Sequence, residues 1–159
     1  MMGVCYRYAR NRADAEDILQ DGFVKVFTHL EQFRGQGSLE GWIRRIMVTT
    51  AINFLNRNKT LLQTMQLDDT MGEISDGQTG QALRREDEWM DILAGLPAGY
   101  RAIVNLYAIE GYSHKEIGAM LGIAESTSRS QYARARAHLI QKKNKQVEQP
   151  DTSQLKDDA

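Results

Sequence analysis

Apolar residues recur along most of the chain at the three- and four-residue spacing of a helix, and they almost never alternate with polar residues. A helix is predicted to begin near Asp14, and Asp17 adds a further acid that favours the positive end of its dipole. Ser38 is a suitable N-cap for another helix over residues 39–57. Residues 2–10 are predicted to be the end of a preceding helix. The seam that the Asp14 helix is expected to bury consists of Ile18, Gly22, Phe23, Val26, Phe27 and Leu30.

The helical pattern is lost between about residue 57 and residue 81, where large apolar residues are scarce, and it resumes at residue 84. Pro97 suits the first turn of a helix that ends at Gly111. Ser113 and Glu116 are spaced as a capping box for a short helix that ends at Gly122. A last, basic helix is predicted over residues 125–143.

These elements predict an all-α chain of two small helical domains on a flexible tether. We expect a first domain over residues 1–58, an acidic linker over 59–84, a second domain over 85–145 and a disordered tail over 146–159.

The net charge of −1 hides an alternation along the chain. Residues 1–60 carry a net charge of +3, residues 61–100 carry −6, residues 101–146 carry +5 and the remainder −3. A near-neutral total therefore does not argue against nucleic-acid binding, because the local field is what a nucleic acid meets. Cys5, the single cysteine, is expected to be a buried thiol, and with no predicted leader or membrane span the chain is expected in the cytoplasm.

The capped helix, the turn at Gly122 and the basic helix that follows have the arrangement of a helix-turn-helix. Gly118 is small where the two helices are expected to touch. A helix fits the major groove of DNA, where arginine pairs with guanine, and hydroxyls near its N-terminus suit phosphates. The residues predicted to face DNA are Ser126, Thr127, Arg129, Ser130, Arg134 and Arg136.

Two further surfaces are predicted in the first half. Asp17, Gln20, Asp21 and Val24 share one helix face, which is either solvated, the simpler interpretation, or docks on a basic protein surface. A polar, partly basic face near Trp42, whose ring is expected to be mostly core, suits melted DNA. The polar loop at 58–60 could hold an unstacked base. The residues of the polar face and loop are Arg44, Arg45, Thr49, Asn53, Asn56, Arg57, Asn58 and Lys59.

Together these motifs resemble the extracytoplasmic-function (ECF) sigma factors of bacteria. The segment Asp14–Phe23 is similar to their core-polymerase-binding region 2.2, and the segment Gly37–Leu55 is similar to regions 2.3 and 2.4. The segments at Leu96–Ile117 and Ala124–Arg136 are similar to region 4. The resemblance covers about residues 2–143 in the expected order.

The resemblance implies a non-catalytic factor that directs RNA polymerase to promoters. Asp17, Gln20 and Asp21 would meet the clamp helices of the largest polymerase subunit, and region 4 would sit on the flap of the second-largest subunit. The polar face of 44–57 would meet the −10 element, and the loop at 57–59 would hold a flipped base. Arg129, Ser130, Ala133 and Arg134 would face the −35 major groove, with Arg136 nearer the backbone. An anti-sigma factor is an implied partner, and no stable homo-oligomer is expected.

The chain departs from the family pattern in three ways. It starts within the first helix, which normally begins well upstream, so the first domain is expected to be shortened. Ser128 stands where an apolar residue is usual, and Gln131 and Asn56 stand where basic residues are common. These changes are expected to weaken DNA affinity or to shift promoter choice. We also expect the two domains to be loosely tethered until polymerase fixes their separation.

Other classes of function remain as alternatives. A helix-turn-helix regulator of another type would bind DNA without polymerase, and a pure interaction protein such as an anti-sigma factor would not need the arginine-rich helix. An enzyme is disfavoured, because His29, His114 and His138 lack metal-ligand spacing and no phosphate-binding loop or nucleophile motif is present. No metal and no cofactor are therefore expected.

Overall fold

The computed structural model describes residues 1–58 and 85–148, with side chains in the second range from 89 to 145. These ranges contain helices and turns but no strand, which confirms the all-α class. The predicted linker and most of the predicted tail lie outside the described residues. The helices are α1 (Met2–Tyr8), α2 (Arg12–Thr28), α3 (Leu39–Arg57), α4 (Arg85–Ala94), α5 (Ala98–Val104), α6 (His114–Leu121) and α7 (Glu125–Glu148).

The first half packs α1 and α2 against α3. Helix α2 begins at Arg12, two residues earlier than predicted, because its N-cap is Asn11. The Asn11 side chain accepts a hydrogen bond from the backbone N–H of Asp14 at 2.8 Å. Helix α3 has the predicted bounds, and Ser38 caps it by accepting from the backbone N–H of Gly41. A Cβ atom on Gly22 would overlap the Met47 sulfur, so α2 and α3 approach closely at this glycine.

The predicted seam of α2 is only partly correct. Ile18, Gly22 and Val26 are buried at four-residue spacing, but Phe27 is 73% exposed and Leu30 also lies outside. Four-residue steps drift slowly around a helix, whereas Phe27 lies about 100° around the axis from Val26. Helices α1 and α3 cover only the side of α2 on which Ile18, Gly22 and Val26 lie.

The second half is built from α4 to α7, with its own small core from Ile92 to Leu139. Pro97 precedes α5, and the chain continues from α5 into one wide, π-helical turn at Asn105–Ile109 before Gly111 with φ +79°. The predicted capping box of Ser113 and Glu116 is present. Helix α7 extends to Glu148, beyond the predicted helix end at 143 and into the first residues of the predicted tail.

The two halves are packed together in this structure. Ile103, Leu106 and Ile117 of the second half belong to the same buried cluster as the core of α1 to α3. The Asn105 side-chain amide donates to the carbonyl oxygen of Arg7 at 2.9 Å. In this arrangement the halves are in contact and not held by the linker alone, because Ile103, Leu106 and Ile117 complete the first core instead of facing solvent.

Candidate polymerase and nucleic-acid interfaces

Helix α2 exposes a strip that is both acidic and apolar. The side chains of Asp17, Gln20 and Asp21 are exposed, as predicted from their helical spacing. Val24 is 60% exposed, and Phe27 continues the strip where the sequence pattern had placed it in the core. Large apolar side chains in contact with water, next to fixed charges, are typical of a protein-docking surface.

Helix α3 presents the predicted polar face, with Arg45, Thr49 and Asn53 exposed along one side. The chain continues this exposed surface through Asn56, Arg57 and Asn58, and Lys59 lies outside the described residues. Arg44 differs from the others, because its guanidinium is held by Glu110 of the second half and this bond raises its pKa. The predicted −10 residues therefore form one surface with Arg44 at its edge.

A cleft of about 310 Å³ opens beside Trp42, between α2 and α3. The Trp42 ring is only half buried and tilts against Phe33 at a centroid distance of 5.6 Å. Lys25 and Arg45 bring positive charge to the cleft, and Lys25 Nζ donates to Thr50 Oγ1 at 3.2 Å. An aromatic wall, two cations and hydroxyls together suit an unstacked base and its phosphate.

The α2 side of this cleft was not predicted from the sequence. Lys25, His29 and Gln32 line the cleft, but Lys25 and Gln32 carried no prediction and His29 was considered only as a metal ligand and rejected. The four-residue spacing of Lys25 and His29 shows only that they share a helix face. Nothing in the sequence indicates that this face lies opposite Arg45 and Thr49.

The helix-turn-helix consists of α6, a turn at Gly122 with φ +70°, and the first turns of α7. A Cβ atom on Gly118 would lie 2.7 Å from the carbonyl oxygen of Ile123, which confirms that this glycine lies where the helices meet. Arg129 pairs with Glu125 one turn earlier. The predicted −35 residues lie on the outer side of α7: Ser126, Arg129, Ser130, Ala133, Arg134 and Arg136 are exposed and Thr127 is half-buried.

The inner side of α7 explains two departures from the family pattern. Ser128 is fully buried, and its Oγ lies 2.9 Å from His114 Nδ1. The His114 ring stacks on Tyr107 at 4.2 Å, and burial lowers the pKa of this imidazole. His114 was expected at the surface, but it is half-buried because the polar Ser128 gives its ring a partner inside.

Gln131 also faces inward, with 2% of its surface exposed. Its side chain therefore lies on the buried side of α7, and the expected effect of its missing charge on DNA affinity stays a prediction.

Two family models match the chain: Sigma-70 region 2 matches residues 1–60, and Sigma-70 region 4 matches residues 86–139. The chain belongs to the sigma-70 family. Its relatives include the ECF RNA polymerase sigma factor SigE of Mycolicibacterium smegmatis, 32% identical over 86% of this chain and 54% of that protein. SigM of Mycobacterium tuberculosis is 33% identical over 82% of this chain and 65% of that protein. The chain thus spans between about half and two thirds of these ECF relatives.

The fold is similar to that of a solved sigma factor, RpoE of Bartonella quintana in complex with the anti-sigma factor NepR. The TM-score is 0.55 and the identity 19%, over 88% of this chain and 87% of the other. Among the helices described for the present chain, none is long and apolar enough to cross a membrane. Nor do the side chains that the structure describes, those of residues 1–58 and 89–145, contain a cluster of three or more groups suited to a metal.

Proposed function

We propose that this chain is an alternative sigma factor: it binds core RNA polymerase and directs it to promoters with particular −10 and −35 elements. The observation that carries the proposal is the placement of most of the predicted contacts on three exposed surfaces, of which the first two adjoin where Arg57 pairs with Asp21 at 3.5 Å. These are the strip on α2, the polar face of α3 with its cleft, and the outer face of α7. The factor performs no covalent chemistry; polymerase does.

The α2 strip is the proposed contact with the clamp helices of the largest polymerase subunit. Val24 and Phe27 supply an apolar centre, and Asp17 and Asp21 flank it with negative charge. Such a centre carries most of the affinity of a protein interface, whereas the charges select and orient the partner. The acidic face is repelled by DNA, so a basic protein surface is the partner that fits.

A second apolar patch lies between α4 and α7, where Trp89, Met90 and Ile140 are exposed. The Lys143 ammonium lies 5.5 Å from the centre of the Trp89 ring. We assign this patch to the flap of the second-largest subunit. Ile140 follows Arg136 by about one turn on the same side of α7, so the patch lies further along the helix than the residues proposed to read the −35 element.

The −10 element is proposed to lie along α3, with one unstacked base in the cleft beside Trp42. The resemblance implied residues 57–59 as the site of this base, but the cleft offers the aromatic wall and the cations that such a base needs. The −35 element is proposed to lie on the outer face of α7, where Arg129 and Arg134 reach base edges and Arg136 the backbone.

A cytoplasmic location and an anti-sigma partner complete the proposal. The similar RpoE structure contains an anti-sigma factor, which supports a regulator of this class. No stable homo-oligomer is proposed. The buried, unpaired thiol of Cys5 fits a reducing compartment.

In vitro transcription with bacterial core polymerase, with and without the chain, tests the function on genomic fragments. Discrete new start sites are expected, and their alignment would give both promoter elements. If DNA is bound but no polymerase-dependent start appears, the chain is instead a helix-turn-helix regulator of another type.

Phe27→Ala tests the polymerase contact. We expect at least tenfold weaker binding to core polymerase, because an aromatic anchor is lost, with little change in stability for a ring that is 73% exposed. Leu39→Ala is the matched control, since Leu39 is an exposed apolar residue outside the strip. If both substitutions weaken binding to core polymerase equally, the assignment of the α2 strip to the polymerase contact is refuted.

A further inference from the structure

One carboxylate joins the two halves of the chain. Glu110 follows the wide turn after α5, and its side chain is 7% exposed. Its Oε2 accepts from Arg44 Nε at 2.8 Å, and its Oε1 accepts from Arg44 Nη2 at 2.9 Å and from Arg7 Nη2 at 3.0 Å. Both arginines belong to the first half.

The geometry at Glu110 is that of an anion held by two arginines. Arg44 grips both oxygens with its planar fork, and Arg7 adds a third N–H group. A guanidinium fork fits a carboxylate and a phosphate in the same bidentate way. The two guanidinium groups carry one positive charge more than Glu110 neutralises, so the same site on the first half has the charge to hold an anion from outside.

The site borders the surface proposed for the −10 element. Arg44 and Glu110 line a solvent-open cleft of about 480 Å³, together with the exposed Arg45 of α3. At the other end of α3, the Asn56 side chain lies 3.5 Å from the carbonyl oxygen of Met120, a marginal contact with the second half. The packed second half therefore contacts both ends of the proposed −10 surface, closely at Arg44 and marginally at Asn56.

The junction also leaves polar atoms unsatisfied. Within the described residues, Tyr8 Oη, Arg7 Nε and Asn105 Oδ1 are buried with no hydrogen-bond partner. Burial, and then the negative charge of Glu110, raise the pKa of Tyr8. Each buried group without a hydrogen-bond partner destabilises the packed arrangement, because its hydrogen bond to water is lost and not replaced. A junction that carries such costs is easier to open than an apolar core of the same size.

We propose that Arg7 and Arg44 form a binding site for a backbone phosphate of the −10 DNA, and that Glu110 occupies this site in place of the phosphate while the two halves are packed together. The proposal rests on the sigma-factor function above and adds a site and a restraint to it. Binding to polymerase separates the halves, removes Glu110 and frees both arginines for DNA. Without polymerase, Glu110 and DNA compete for the same N–H groups.

The first test removes the internal anion. Spin labels on cysteines introduced at the exposed positions Glu31 and Lys115 report the separation of the halves, and the buried Cys5 stays unlabelled. We expect Glu110→Gln to lengthen and broaden this separation. We also expect it to raise the affinity of the full chain for a single-stranded −10 oligonucleotide at least fivefold. Glu16→Gln is the matched control, since it removes the same charge from an exposed pair with Arg12.

The second test asks whether the freed arginines bind phosphate. In the Glu110→Gln background, Arg7→Ala should reduce the slope of log affinity against log salt by about one, because one phosphate contact is lost. Arg12→Ala, an exposed arginine that is paired within α2, should leave the slope unchanged. If Arg7→Ala behaves like Arg12→Ala, the two arginines serve only Glu110 and the proposed phosphate site is wrong.

Exchanging the charges of Arg44 and Glu110 tests whether this ion pair itself holds the halves together or whether substitutions here only destabilise the fold. Arg44→Glu alone should lengthen the separation of the labels, and adding Glu110→Arg should shorten it again; the double variant should not gain the DNA affinity expected of Glu110→Gln, because Arg44 is missing from the phosphate site. If Glu110→Gln changes neither separation nor affinity relative to Glu16→Gln, the restraint is refuted even while the wild-type chain initiates transcription. Failure of the sigma function itself is different, because then neither the wild-type chain nor any variant gives polymerase-dependent starts.

Discussion

Gly118 lies where α6 crosses the start of α7, and a methyl group has no room there. An added Cβ would be 2.7 Å from the Ile123 carbonyl oxygen, 0.7 Å short of the 3.4 Å at which ordinary contact begins, and 3.4 Å from the Glu125 backbone nitrogen. These are backbone atoms of the turn and cannot rotate away. Gly118→Ala must therefore push the two helices apart.

The size of the effect follows from two opposing contributions. Overpacking of this kind costs about 1–3 kcal/mol, whereas alanine favours the helix over glycine by about 0.5–1 kcal/mol. We expect a net loss of about 1–2 kcal/mol in the free energy of unfolding. At a slope of about 2 kcal/mol/M, the urea midpoint would fall by roughly 0.5–1 M.

Urea unfolding of the full chain, followed by circular dichroism, measures this loss. Gly41→Ala is the control: it is also a glycine within a helix, but its nearest neighbour would be the Ser38 Cβ at 3.8 Å, so alanine should stabilise. Because the helix-turn-helix is distorted, holoenzyme carrying Gly118→Ala should also lose affinity for promoters that depend on the −35 element. A Gly118→Ala midpoint equal to or above that of the wild type would refute the close approach of α6 and α7.

Three smaller predictions concern single side chains. Ser113→Ala should destabilise the chain by about 1 kcal/mol in urea unfolding, because the capping box is lost. The Ser113 N–H and hydroxyl groups lower the pKa of Glu116, so the stability that the Glu116 carboxylate contributes is present above the ordinary pKa of a glutamate and is lost as pH falls through the lowered value. The stability difference between the wild type and Ser113→Ala should therefore shrink in acid. A difference that does not change with pH would contradict the capping box. Ser128→Ala should cost about 1 kcal/mol and raise the accessibility of His114 to modification, because the imidazole loses its partner; unchanged reactivity would contradict that bond. Burial raises the pKa of the Cys5 thiol, so it should react with a thiol reagent only at the rate of unfolding, and rapid reaction in native buffer would show that α1 is not packed as described.

Local signals in the sequence were enough for the helices and for most of their ends. The bounds of α3, the capping box at Ser113 and the left-handed Gly122 all follow from residues within one or two turns of each other. The exposed placement of the polar residues on α3 and α7 follows in the same way, since a 3.6-residue repeat sets which positions share a face. Their assignment to polymerase and DNA stays a prediction.

Only the tertiary structure decided what each face meets. The periodicity placed Phe27 in the core, but no helix within the described part of the chain covers that side of α2. It left His114 at the surface, whereas the polar Ser128 on α7 draws the ring inward. Neither the cleft beside Trp42 nor the contact of Glu110 with Arg7 and Arg44 follows from the sequence, because their members are separated by up to 103 positions. A helical repeat fixes directions around one axis, but the distance and angle between two axes depend on how all the side chains pack at once.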